Sequence, residues 1–253
     1  MCWLMKALLP TASATEFTTA QSTYSVTTGV TLYAQAKGCS THSNSAVASA
    51  AYTITCTSGA CSDNFSGTAG TLLATYNPQW SDSTSSNLAH LVLVSGGGVY
   101  PTANISSSSA FYSASTSLTS TVAINPGKPS TASVGPAVLV SSGVEGYTAL
   151  AGNATSSIYI SKNGAGIAGS TNAANPYANG VPFCLQIKAV VTSTVVLTTY
   201  TAPYSGGACG SFTLLSATAT DSSSIITTGN AGISWSYPGA SNAAATVYLW
   251  KDN

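Results

Sequence analysis

The most regular alternation of apolar and polar residues lies between Glu16 and Ala36. From Tyr24 onward every second residue falls on one face of an extended chain, and this face carries Tyr24, Val26, Thr28, Val30, Leu32 and Ala34. A period of two with many β-branched and aromatic residues predicts a half-buried strand. The segment is long, since about five or six residues is usual for a strand. We therefore expect an extended N-terminal strand that lies in a sheet of its own subunit or of a neighbour.

Shorter segments of the same kind follow, separated by Gly, Pro and Asn. They predict strands over residues 52–56, 71–76, 88–94, 117–124, 137–140, 157–161, 183–200, 212–219, 225–228, 233–237 and 246–250. Residues 106–109 have the composition of a linker, and residues 46–51 form the only helix-like patch. Short strands at this spacing are typical of β-sandwiches and jelly rolls. The sequence thus predicts an all-β chain with a β-sandwich or jelly-roll-like body.

The same pattern suggests how the chain is divided. Residues 1–36 are predicted to be an N-terminal extension that holds the candidate donor strand, and residues 37–253 the β-sandwich body. Three prolines fall within residues 125–136. This segment is a candidate sub-boundary or a long crossover, because proline-rich stretches interrupt regular structure.

Charged residues make up only 5% of the 253 residues, whereas apolar residues make up 44%. Arginine is absent, and six lysines balance six acids. A surface without clustered basic side chains cannot bind phosphates strongly, so we expect no nucleic-acid partner. A net charge of zero also removes the self-repulsion that keeps proteins apart, which favours association of the chain with itself.

Residues 1–14 resemble a fragment of a secretory signal peptide, with Lys6, a short apolar run and a small-residue motif at residues 12–14. The apolar run is short and is interrupted by Pro10, so we expect this segment to belong to the mature subunit. No other run is long enough to cross a membrane as a helix, and no membrane span is predicted.

Six cysteines and three glycosylation sequons indicate an oxidising, extracellular location. The sequons begin at Asn64, Asn104 and Asn153. Cys184 and Cys209 bracket two predicted strands and a turn, which favours a disulfide between them. Cys56 is then expected to pair with Cys61 or Cys39, which leaves Cys2 for the remaining thiol.

Two kinds of chemistry compete with this structural interpretation. Cys39, Cys56 and Cys61 with His42 have the ligand types of a tetrahedral zinc site. Disulfides explain the same cysteines, so no metal site is predicted. For hydrolysis, the candidate groups are His42, His90 and Glu145, but the nucleophile motif G-x-S-x-G is absent. We therefore predict no catalytic residues, no cofactor and no enzymatic activity.

Aromatic residues offer a further alternative. Trp80, Trp235, Tyr237, Tyr248 and Trp250 could form a sugar-stacking face, although aromatic residues in β-sandwiches more often pack in the core. A secreted adhesin or carbohydrate-binding module of this kind would keep residues 16–36 within its own domain. A jelly-roll viral capsid protein is also compatible with the strand content, but no basic arm is present to package a genome.

An N-terminal extension from Thr15 to Ala36, followed by a β body from about Lys37 to Asn253, resembles archaeal extracellular filament subunits, the threads and bundling pili built by donor-strand exchange. The resemblance implies a structural subunit of an extracellular pilus-like or thread-like filament whose partner is itself. Its N-terminal strand would enter the neighbouring subunit, where the pocket-filling side chains would be Tyr24, Val26, Val30 and Leu32. The chain differs from archaeal type IV pilins because it lacks their long apolar N-terminal helix.

Overall fold

The computed structural model of the chain describes residues 5–9, 12–17, 30–36, 48–52, 61–84, 88–103, 105–125, 133–152, 157–178, 180–237 and 246–252. Before residue 61 the structure describes only the backbone of these ranges. The chain forms two compact units, Met1–Thr55 and Cys56–Asn253.

The N-terminal unit contains a four-stranded antiparallel sheet. Its strands are β1 (Met5–Leu9), β2 (Ala12–Phe17), β3 (Val30–Ala36) and β4 (Ala48–Tyr52). The spatial order is β2-β1-β3-β4, so β3 has a hydrogen-bonded neighbour on each side. Two expectations change here. Residues 16–36 are expected to form one strand, but they are divided between β2 and β3, and residues 18–29 lie outside the described part. The helix-like patch at residues 46–51 contributes to strand β4 instead.

The second unit is a β-sandwich of two antiparallel sheets. Its strands are β5 (Ser62–Asp63), β6 (Trp80–Asp82), β7 (Leu91–Leu93), β8 (Val99–Pro101), β9 (Ile105–Tyr112), β10 (Thr119–Asn125), β11 (Ser133–Val140), β12 (Tyr147–Gly152), β13 (Ser157–Lys162), β14 (Ala165–Gly166), β15 (Ala173–Ala174), β16 (Phe183–Val191), β17 (Val195–Ser205), β18 (Ala208–Cys209), β19 (Thr213–Asp221), β20 (Asn230–Tyr237) and β21 (Thr246–Asp252). The predicted all-β sandwich is therefore confirmed.

Each sheet is completed by strands that are distant in the sequence. Sheet I has the order β19-β17-β16-β10-β21-β8-β7, with β18 also beside β17 and β5 beside β21. Sheet II has the order β13-β12-β11-β20-β9-β6, with β14 and β15 beside β13. The two C-terminal strands insert between earlier ones, since β20 lies between β9 and β11 while β21 lies between β10 and β8.

The core lies between the two sheets and follows from the alternation of side chains along each strand. On β16, Leu185, Ile187 and Ala189 are buried while Lys188 and Val190 are exposed. The largest fully buried side chains are Trp80, Trp235, Trp250, Tyr147, Phe65, Phe183, Leu73, Leu91, Leu93, Ile124 and Leu139. Burial of this apolar surface supplies the main driving force for folding of the unit.

Four local predictions are wrong. A short α-helix, α1 (Leu73–Tyr76), replaces the strand predicted over residues 71–76. Within residues 88–94, a 3₁₀ turn at Leu88–His90 precedes β7, which has only three residues. Residues 106–109 are part of β9 rather than a linker. Residues 225–228 are not in a strand, because the chain there is a loop that leads into β20.

The segment at residues 125–136 joins the two sheets. It begins at the end of β10, in sheet I, and continues into β11, in sheet II. Both strands belong to the same compact unit. The chain therefore passes from one sheet to the other within that unit between these two strands.

Candidate functional site

The candidate donor residues are only partly within the described structure. Val30 and Leu32 lie on β3, opposite Tyr52 and Ala50 of β4. Tyr24 and Val26 lie outside the described residues. β3 therefore forms its hydrogen-bond ladders within its own unit, and among the described residues the outermost strands of this sheet are β2 and β4.

One of the three sequons lies in the described part of the chain. Asn64 is exposed, and its Oδ1 accepts a hydrogen bond from the Ser66 N–H at 3.2 Å. Phe65, the middle residue of the sequon, is fully buried with φ 53°. Asn64 is thus held at the surface on a turn that the buried Phe65 anchors. Asn104 and Asn153 lie outside the described residues.

The predicted disulfide between Cys184 and Cys209 is confirmed. It attaches β18 to β16, beside a small cluster of apolar residues that includes Ala123 and Ala202. Cys61 is also disulfide-bonded, which removes it from the candidate zinc ligands. Its partner lies outside the described residues, as do Cys39, Cys56 and His42. The described residues contain no group of three or more potential metal ligands.

A buried carboxylate holds the first residues of the sandwich against the core. Asp63 accepts hydrogen bonds on Oδ1 from the Phe65 N–H at 2.8 Å and the Tyr76 hydroxyl at 3.1 Å. Its Oδ2 accepts from Asn77 Nδ2 at 3.2 Å and Trp80 Nε1 at 2.9 Å. Burial, together with the charge of Asp63, raises the pKa of Tyr76 to about 12. Both carboxylate oxygens are satisfied by protein donors, so this acid has a structural role.

A second buried acid joins the two sheets. Lys162, at the end of β13, places Nζ 2.7 Å from Oδ2 of Asp221, at the end of β19. The Lys162 ammonium also donates to the carbonyls of Ser223 and Ser224, at 2.6 and 2.8 Å. The Tyr147 hydroxyl donates to the same Asp221 oxygen at 2.6 Å. All three ammonium hydrogens thus have protein acceptors.

The electrostatics of this cluster follow from its contacts. Burial alone would raise the pKa of Asp221, but hydrogen bonds from Lys162, Tyr147 and the Ser223 N–H outweigh it and hold the pKa below its usual value. Burial and the bond to Asp221 raise the pKa of Tyr147 to about 12. The group is a stable ion pair with a neutral phenol, which suits a structural link between sheets.

Of the three residues considered for hydrolysis, His90 and Glu145 lie in the described part of the chain, and His42 lies outside it. His90 lies in the 3₁₀ turn before β7, where its carbonyl accepts from the Thr102 N–H at 2.7 Å. Glu145 is half-buried, and burial raises the pKa of its carboxyl. Its carbonyl accepts from the Ser109 hydroxyl at 3.0 Å. Both contacts are made by the main chain of these residues.

The sugar-stacking face formed by the tryptophans is not present. Trp80, Trp235 and Trp250 are buried, and Trp80 packs edge-on against Trp250 with ring centroids 5.1 Å apart. Tyr248 is half-buried and stacks with Tyr204 at 6.0 Å. The side chain of Tyr237 lies outside the described part of the structure. Most of these aromatic residues therefore pack in the core, as aromatic residues in β-sandwiches more often do.

Sequence reasoning missed both buried acid clusters. For Asp221 a signal was available, because Ala217, Ala219 and Asp221 alternate along β19 and all three are buried. A carboxylate on the buried face of a strand requires a partner. For Asp63 no comparable signal exists, since its partners follow from the turn at Asn64 and the short helix α1.

No helix within the described ranges is long and apolar enough to cross a membrane. Searches against known proteins add no family assignment: no protein-family model matches the chain, and no curated protein matches it significantly.

Proposed function

We propose that this chain is a structural subunit of an extracellular pilus-like or thread-like filament. The observation that carries the proposal is the division of the chain into a small N-terminal β unit and a separate β-sandwich. A near-absence of charge supports self-association. The Cys184–Cys209 disulfide and the exposed sequon at Asn64 support an extracellular location.

The mechanism we propose is strand donation from the N-terminal unit to the next subunit. In the isolated chain β3 is bonded to β1 and β4. Donation exchanges the ladders of β3 with β1 and β4 for main-chain pairing in the neighbouring subunit. Tyr24, Val26, Val30 and Leu32 supply the side chains that fill the neighbour's pockets. Because the donating and accepting surfaces differ, the contact is head-to-tail, and it gives a filament when the rotation between successive subunits does not close a ring.

A first experiment is electron microscopy of the purified, undenatured chain over a range of concentrations. Regular fibres support the proposal. Closed shells would indicate a capsid protein instead, and dispersed monomers at high concentration would favour a monomeric adhesin or sugar-binding module.

A second experiment tests the donated strand itself. Ala7 and Ala34 are directly opposite each other on β1 and β3, so Ala7→Cys with Ala34→Cys can form a disulfide that holds β3 in its own unit. This pair leaves the four pocket-filling residues unchanged. We expect the oxidised variant to remain monomeric and to polymerise after mild reduction.

The matched control places a disulfide in the sandwich, with Val190→Cys and Val196→Cys, which are opposite each other on β16 and β17. This variant is expected to polymerise in both redox states. If the oxidised Ala7/Ala34 variant polymerises as fast as the control, β3 is retained in its own subunit and strand donation is wrong.

A further inference from the structure

The edges of the two sheets differ in how they are protected. At one edge of sheet II, β13 is covered by β14 and β15. The opposite edge is β6, which has only three residues. In sheet I, β7 also has three residues, and the preceding chain covers it: the Leu93 N–H donates to the Thr71 carbonyl, and the Gly70 N–H donates to the Leu93 carbonyl, both at 2.9 Å. Three of the four edges are therefore short or covered.

The fourth edge belongs to β19, which has nine residues and pairs with β17. Its outer side is bonded, within the described ranges, through Thr171. The Thr171 N–H donates to the Thr218 carbonyl at 2.9 Å, and Thr171 Oγ1 accepts from the Thr218 N–H at 3.1 Å. The hydroxyl also donates to the carbonyl of Ser216. Thr171 thus makes the bonds that one residue of an adjacent strand would make.

Beyond this contact the edge is accessible. Thr213, Leu214, Ser216 and Thr220 are exposed. Leu214 is 60% exposed, the highest value among the exposed large apolar residues of the described sandwich. Natural edge strands are usually protected by lysine, proline or an inward-pointing charge. The only charged residue of β19 is Asp221, and its carboxylate is bound by Lys162 and Tyr147.

One feature of β19 defines the register that an added strand would meet. Thr198 is opposite Thr218, but Tyr200 is opposite Leu214, so β19 bulges between these positions. Thr171 bonds the bulged part, at Ser216 and Thr218. Main-chain groups before the bulge, at Thr213 and Leu214, are where a new strand would begin to pair. Displacement of Thr171 would then let pairing extend past the bulge.

We propose that the outer edge of β19 is the surface on which a second copy of this chain adds a strand. The incoming strand would replace the hydrogen bonds that Thr171 makes to Ser216 and Thr218. The assignment rests on the proposed function, because it names the acceptor of the donated strand. Apart from Asp221, whose carboxylate is bound by Lys162 and Tyr147, the edge carries no charge, and its exposed Leu214 suits the apolar, nearly uncharged strands of the N-terminal unit.

The test compares fibre growth of the unmodified chain and three variants by light scattering and electron microscopy. Leu214→Lys puts a charge on the edge, and we expect growth at least about tenfold slower. Val190→Lys is the matched control, since Val190 is 50% exposed on the same sheet but lies on β16, away from the edge. We expect it to grow like the unmodified chain. Thr171→Ala removes the Oγ1 bonds from β19 and should accelerate growth.

The outcomes separate this assignment from the proposed function. If fibres of the unmodified chain form and Leu214→Lys grows equally fast, or if Val190→Lys slows growth as much, β19 is not the acceptor although the filament proposal stands. If the unmodified chain forms no fibres, both proposals fail. Circular dichroism and thermal unfolding of each variant establish that the sandwich remains folded, which is expected because all three positions are on the surface.

Discussion

Tyr147 and Asp221 connect the two sheets of the sandwich through a hydrogen bond of 2.6 Å between the phenol oxygen and Oδ2. Tyr147 begins β12 in sheet II, and Asp221 ends β19 in sheet I. The phenol also accepts a hydrogen bond from the Ile226 N–H at 3.0 Å, so it anchors the loop that follows β19. A single hydroxyl thereby joins two sheets and a loop.

Replacement of this hydroxyl should destabilise the sandwich. Tyr147→Phe leaves a buried carboxylate with one donor fewer and the Ile226 N–H without its acceptor, so we expect a loss of about 1–3 kcal/mol in the free energy of unfolding. Denaturant titration measures it. The matched control is Tyr159→Phe on the neighbouring strand β13, where the tyrosine is half-buried, and we expect a change within about 0.5 kcal/mol. Equal losses in the two variants would contradict the role of the Tyr147 hydroxyl.

The same cluster predicts how stability depends on pH. The pKa of Asp221 is lower in the folded chain than its usual value, so its contribution is fully present above that usual value, about 3.9. The contribution is lost as the pH falls through the lower pKa of the folded state, because protonation removes the acceptor. The stability difference between the unmodified chain and Asp221→Asn should therefore be largest near neutral pH and shrink below about pH 3.9. A constant difference down to pH 2 would show that the ion pair is not responsible.

Close contact between strands makes two glycines of sheet II irreplaceable. A Cβ at Gly135 would lie 1.8 Å from the carbonyl oxygen of Ala149, and one at Gly232 would lie 2.1 Å from that of Ala110. The clashing backbone atoms are held by the hydrogen bonds of sheet II and cannot shift without disturbing them. We therefore expect Gly135→Ala and Gly232→Ala each to lower the free energy of unfolding by about 3 kcal/mol or more. Gly166→Ala is the control, because nothing lies within 4 Å of its Cβ position. Thermal unfolding of the three variants distinguishes them.

Local signals in the sequence predicted some of this fold and failed on the rest for identifiable reasons. The turn at Asn163–Gly164 is encoded by two residues that tolerate positive φ, and both adopt it, at 47° and 76°. The disulfide between Cys184 and Cys209 followed from the two strands between them. Serines 108 and 109, in contrast, suggested a linker, yet both are buried in β9. Their hydrogen-bond partners are distant in the sequence, such as the Glu145 carbonyl for Ser109, and no local pattern reveals them.

For the candidate assembly site too, the sequence predicted a strand but not its neighbours in the sheet. The alternation at Val30 and Leu32 correctly indicated a strand, but a period of two does not state which strand is its neighbour. The pairing of β3 with both β1 and β4 depends on segments before and after it. The edge position of β19 could likewise not be predicted from the sequence, because whether a strand is central or at an edge depends on the order of all strands in the sheet.

Asp63 is expected to be the most sensitive acid near the start of the sandwich. It accepts four hydrogen bonds, two of them from Trp80 and Tyr76. Asp63→Asn places an amide NH₂ among these donors, so at least one of them loses its acceptor, and we expect a loss of about 2–4 kcal/mol. Tyr76→Phe removes one donor only and should cost about 1 kcal/mol. Chemical denaturation followed by tryptophan fluorescence reports both; a smaller loss for Asp63→Asn than for Tyr76→Phe would contradict the arrangement.

Glu145 should behave in the opposite way to Asp221. Burial raises the pKa of its carboxyl, so the folded chain binds this proton more tightly than the unfolded chain does. Stability is therefore lost as the pH rises from the ordinary glutamate value, about 4.3, through the raised pKa of the folded chain, because the half-buried group must then ionise. Glu145→Gln removes the charge and keeps the shape, and it should raise the free energy of unfolding at pH 7 while leaving it unchanged at pH 3. Since the Ser109 hydroxyl bonds the main chain of residue 145, this contact survives in the variant. An equal gain at both pH values would assign the effect to packing, and a loss at pH 7 would show that the carboxylate has a favourable partner.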